Sequence, residues 1–104
     1  MNPILEIRER RSGLFKVSDV TLISPGGETA PFRVAAAIRE ADNRKLYGAA
    51  RIVLIKADAP GWAIAMLVSE CLAAAVGLFD AETGRYITVQ SHDRVFPLGN
   101  PVMF

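Results

Sequence analysis

The sequence predicts an α+β domain: an antiparallel sheet of about four strands in the order β-β-β-α-β, with one long apolar helix packed on one face. Three observations carry that expectation. Residues 59–79 form one nearly unbroken apolar run, with Pro60 where a helix can open and Gly77 where one commonly stops. Segments on both sides of it alternate apolar and polar residues or are rich in β-branched ones. Turn formers separate these segments at short intervals. With 104 residues, 51% hydrophobic and 22% charged, the chain reads as a single domain spanning 1–104.

Ile4, Leu5 and Ile7 suit a short helix or an edge strand. Arg8, Arg10 and Arg11 form a small basic cluster that reads as a solvated face, and Gly13 ends the segment. Residues 14–24 predict a strand. Phe15, Val17, Thr21 and Ile23 lie on one side, and Lys16, Ser18, Val20 and Leu22 on the other. Residues 25–28, Pro-Gly-Gly-Glu, are a turn signal; they lack the Gly-Lys-Ser/Thr of a phosphate loop.

Residues 32–40 contain three alanines, which favour helix. Alternation favours a strand, with Phe32, Val34, Ala36 and Ile38 opposite Arg33 and Arg39, and the strand is preferred. Residues 41–45 then form the polar tip of a hairpin. Residues 46–57 hold Ile52-Val53-Leu54-Ile55, the mark of a strand covered on both faces, with Tyr47-Gly48 at its entry or a bulge.

The run 59–79 reads as one helix, apolar all round except at Ser69 and Glu70. A membrane span is the rival reading. Glu70 would cost about 2.5–3.5 kcal/mol inside a bilayer. No Lys or Arg cluster flanks the run closely. A buried soluble helix is the better reading, with no membrane partner. After it come a turn at 80–85, a strand at 86–90, and an irregular tail anchored by Val95, Phe96, Leu98, Val102, Met103 and Phe104.

A helix apolar on all sides must be covered on all sides. A short chain can hardly do this alone, and a helix on one side leaves the other sheet face bare. Both points predict a homo-oligomer, most simply a dimer. A formal net charge of +1 implies no nucleic-acid partner. The start of the chain lacks a secretory signal's apolar core, which points to the cytoplasm.

Candidate chemistry is sparse. Cys71 is the one cysteine, which excludes an internal disulfide and a cysteine zinc site; within an apolar run it reads as a core thiol. His92 is the one histidine and stands beside Asp93, a pairing that can act as a general base or be a plain loop histidine; no metal site is expected. Glu70 must pair, face water or line a cavity. Ser69 beside it can share that role, and Arg51 is a candidate partner. Glu70, Ser69, Arg51 and His92 therefore form the candidate pocket. Trp62 and Tyr47 read as packing residues.

Residues 32–45, 47–57, 59–79 and the Val95-Phe96-Pro97-Leu98-Gly99 stretch together resemble the C-terminal region of saccharopine dehydrogenase-like oxidoreductases in element order. That resemblance implies a platform for substrate and subunit contacts beside a separate dinucleotide-binding partner domain. The glycine fingerprint of that domain is absent, so no cofactor is expected on this chain and no catalytic residue carries over. Two functions follow. One is a non-catalytic accessory or oligomerisation module. The other is a small oligomeric enzyme or ligand-binding protein with an intersubunit pocket.

Overall fold

The first two strands form a tight hairpin because Gly13 supplies the positive φ (59°) that a two-residue turn needs at its first position. The computed structural model describes residues 3–24 and 30–104, so the expected turn at 25–28 lies outside the described residues. Strand β1 (Ile4–Ser12) pairs antiparallel with β2 (Phe15–Ile23), with Ser12 opposite Phe15.

Next comes a helix, α1 (Pro31–Glu40), where a strand was expected. Proline suits the first turn, the alanines favour helix, and Val34 and Ile38 lie one turn apart as the buried stripe. Phe32, which the alternation placed inside, is 68% exposed. The polar segment after it is not a hairpin tip. A single 3-10 turn, Asn43–Lys45, capped by the Asp42 side chain on the Arg44 amide, connects the helix to β3 (Tyr47–Asp58).

Strand β3 runs parallel to β2, not antiparallel. Ile52, Val53, Leu54 and Ile55 are all buried, as a doubly covered strand requires.

The apolar run 59–79 is two elements. Helix α2 (Gly61–Glu70) ends at Cys71, whose extended backbone (φ −83°, ψ 140°) leads straight into β4 (Leu72–Asp80). Parallel pairing with β3 and antiparallel pairing with β5 give this second half backbone partners on both sides. Its small residues are what a strand between two packed layers needs. Ala73, Ala74 and Ala75 are at most 2% exposed, and a Cβ at Gly77 would lie 2.8 Å from Val102. The all-round apolar character therefore comes from joining a half-buried helix to a buried strand. Helix α2 itself buries only Ala63 and Leu67. Among the described residues, no helix is long and apolar enough to cross a membrane.

Strand β5 (Arg85–Ser91) returns antiparallel to β4. The fold class is α+β, but with a five-stranded mixed sheet in the order β1-β2-β3-β4-β5 and two short helices. This corrects the expected four-stranded antiparallel sheet with one long helix. The two helices pack on each other and on one sheet face, over Val20, Leu22, Val53, Ile55 and Val76. The tail covers the other face. Phe96, 3% exposed, sits over Val17, Ile52, Leu54, Ala74 and Ala75, edge-on to Phe15 at 5.6 Å. Both sheet faces are thus covered within the chain, and the two reasons for expecting an oligomer fall away.

Candidate functional site

The four residues of the expected pocket lie in three places. Ser69 and Glu70 are exposed at the end of α2, beside a shallow depression of about 150 Å³ that Ala35, Arg39 and Met66 also line. The Ser69 hydroxyl donates to the Met66 carbonyl at 2.8 Å, a local helix bond. His92 is exposed where β5 ends, and its backbone N–H donates to the Ala74 carbonyl. It borders a depression of about 410 Å³ with Gly48, Ala49, Leu72 and Asp93. The Asp93 carboxylate accepts the Val95 backbone N–H at 3.1 Å, which ties it to the tail. Cys71 is a buried thiol whose Sγ lies 3.3 Å from the Leu67 carbonyl. Burial, with a smaller push from the Glu70 charge, raises it to about 12.

Arg51 is paired, but with Glu9 rather than Glu70. It enters at the start of β3 beside a break in the β3–β4 ladder. There Ala49, Ala50 and Arg51 lie between pairs that only Ala74 separates on β4. Its Nη1 donates to Glu9 Oε2 at 2.6 Å and to Ser18 Oγ at 3.0 Å, and its Nη2 to the Arg44 carbonyl at 3.1 Å. The Arg51 hydrogen bond holds the Glu9 carboxyl below its ordinary range against a smaller opposing desolvation, and the charges of Arg51, Lys45 and Lys16 add to it. Arg44 lowers Asp42 in the same way, through a side-chain hydrogen bond. Glu9, Lys16 and Lys45 were not singled out in the sequence. They meet Arg51 only because β2 pairs in parallel with β3, and no spacing in the chain signals that pairing.

The second exposed feature is the outer edge of β1. At the other end of the sheet, the tail pairs with β5: Val102 N–H donates to the Tyr86 carbonyl, Thr88 N–H to Asn100, and Gly99 N–H to Thr88. Among the described residues, nothing pairs with β1 on its far side. The hairpin closes on Ser12–Phe15, so Arg10, Arg8 and Glu6 direct their backbone groups to β2. Leu5, Ile7, Glu9 and Arg11 direct theirs outward. Leu5 and Ile7 lay their side chains on the helix-side core.

A scan against protein-family models finds no match, and a search of curated proteins finds none.

Proposed function

We propose that the chain is a non-catalytic assembly module of the cytoplasm that pairs with a second copy of itself along β1. One observation supports this above the others: β1 is a nine-residue strand with an open edge whose charges complement themselves. Antiparallel pairing about a two-fold axis at Ile7 sets outward backbone groups against outward backbone groups. It places Glu6 opposite Arg8 of the second copy, twice over, and Ile4 opposite Arg10. Long open edges are usually blunted by short length, proline or like charge. Here the charges alternate in a way that suits one register.

The non-catalytic part of the reading rests on engaged groups. The Cys71 thiol is buried and Asp93 is held by the tail. Chemistry would then belong to a partner domain, of the dinucleotide-binding kind that the family resemblance implies.

Sedimentation of the wild-type chain, Arg8→Glu, and the swapped double variant Glu6→Arg/Arg8→Glu tests the proposal. The expected result is dimer, monomer and dimer, because reversal puts like charges opposite and the swap restores complementarity. A wild-type monomer at high micromolar concentration overturns it, as does a dimer indifferent to Arg8→Glu.

A further inference from the structure

The turn end of the β1–β2 hairpin gathers cations on the helix side of the sheet. Arg11 stands opposite Lys16, and Lys16 opposite Arg51, in cross-strand register. The turn at residues 43–45 adds Arg44 and Lys45 beside them. Like charges directly opposite on a sheet are unfavourable, so this arrangement costs stability. Among the described residues, two carboxylates line the region, Glu9 and Asp42, and each already has a cation: Arg51 at 2.6 Å and Arg44 at 3.1 Å. Among the described residues, no carboxylate forms an ion pair with Arg11, Lys16 or Lys45.

The shape of the region points to a ligand. Arg51, 7% exposed, forms part of its wall, its terminal nitrogens held by Glu9, Ser18 and the Arg44 carbonyl. The charged groove, of about 370 Å³, adjoins a second of about 270 Å³, and Lys16 and Arg51 line both. The second is of different character. Leu14, Tyr47, Gly48 and Ala50 line it, with the Tyr47 residue 41% exposed. One half suits a compact anion, the other a flat apolar group.

We propose that this double groove binds a small phosphomonoester that carries a flat ring. The phosphate lies between Lys16 and Lys45, with Arg51 beside it and Arg11 in the adjoining half. The ring lies against Tyr47 over the small residues Gly48 and Ala50. A phosphate dianion matches two unpaired lysines in charge. An extended polyanion is disfavoured by the chain's net charge of only +1. The proposal can be tested apart from pairing along β1, since Lys16, Lys45 and Tyr47 lie on other elements.

Amide NMR titration at low salt tests this, with adenosine monophosphate, adenosine, inorganic phosphate and single-stranded oligoadenylate as probes. Adenosine monophosphate should shift the Lys16, Lys45 and Tyr47 amides. It should bind at least about tenfold tighter than phosphate or adenosine, as expected of one charge-assisted bond or one stacked ring. Lys16→Ala/Lys45→Ala should weaken it roughly tenfold or more, as loss of charged hydrogen bonds does, with no fall in melting temperature. Tyr47→Ala should erase its advantage over phosphate. Four results overturn the proposal: no shifts at millimolar adenosine monophosphate, binding unaffected by the lysine changes, phosphate binding as tightly as the nucleotide, or affinity that rises with oligoadenylate length.

Discussion

The Arg51 guanidinium meets the Glu9 carboxylate at 2.6 Å, joining the start of a central strand to the edge strand across β2. The same guanidinium holds Ser18 and the Arg44 carbonyl, so one side chain pins three strands and the turn at 43–45. Arg51→Ala should therefore destabilise by about 2–3 kcal/mol, the range for losing hydrogen bonds of a buried charged group. Denaturant melts measure it. A change under about 0.5 kcal/mol would place Arg51 with ordinary surface residues.

Glu9 gives that clasp a pH dependence. Its folded carboxyl titrates below the ordinary 4.5, so near and below that pH the unfolded chain binds the extra proton. Stability from Glu9 is full above the unfolded value and is lost as pH falls through the folded one. Glu9→Gln should flatten this part of the acid limb in melts run from pH 6 to pH 2, about the range over which carboxylates titrate. An unchanged slope would remove Glu9 from the account.

Gly77 sits where the tail closes on the sheet. A methyl group there would lie 2.8 Å from Val102 Cγ2, 3.0 Å from Tyr86 Cβ and 3.2 Å from Leu54 Cδ2. Gly77→Ala should cost about 1–3 kcal/mol, as overpacking does. Val102→Ala in the same chain should recover part of that, because it removes the nearest atom. A double-mutant cycle reads the coupling, and strict additivity would show that the tail moves aside freely.

Phe96 is the tail's anchor in the second core. Phe96→Ala should cost about 3–5 kcal/mol. It should also free the β5 edge that residues 99–102 pair with, so hydrogen exchange at the Thr88 and Val102 amides should rise together. Loss of stability without faster exchange there would separate the anchor from the edge.

Cys71 should resist thiol reagents in the folded state and react on unfolding. Its thiol is raised to about 12 from an ordinary 9.0, so only the unfolded chain ionises in the interval between them. Stability should therefore fall as pH rises from 9 towards 12, and Cys71→Ala should lack that component. Rapid native labelling near pH 8, well below the raised value, would contradict the burial argument.

Residues 14–24, 46–57 and 86–90 were legible as strands because β-branched content and apolar runs act locally. Of the tail's six expected anchors, Phe96 is buried and Val102 half-buried, whereas Val95, Leu98, Met103 and Phe104 are exposed. Residues 32–40 were misread because their short alternation also fits a helix, whose buried stripe needs only Val34 and Ile38. The candidate pocket was less legible. Glu70, Ser69, Arg51 and His92 were chosen for their residue types, and the fold sends them to three separate surfaces.

Composition and local patterning by themselves determined the α+β class, three of the five strands, the core thiol and Phe96 as an apolar anchor of the tail. Only the tertiary structure decided that residues 59–79 divide at Cys71 into helix and strand. Alanine and glycine are poor strand formers by propensity. In residues 73–77 they are held extended by the β3 ladder and by layers packed on both faces, which leave no room for larger side chains. The parallel pairing of β2 with β3 likewise brings Lys16 beside Arg51, 35 positions apart by their numbers in the chain. Strand register sets that meeting, and register depends on the whole sheet.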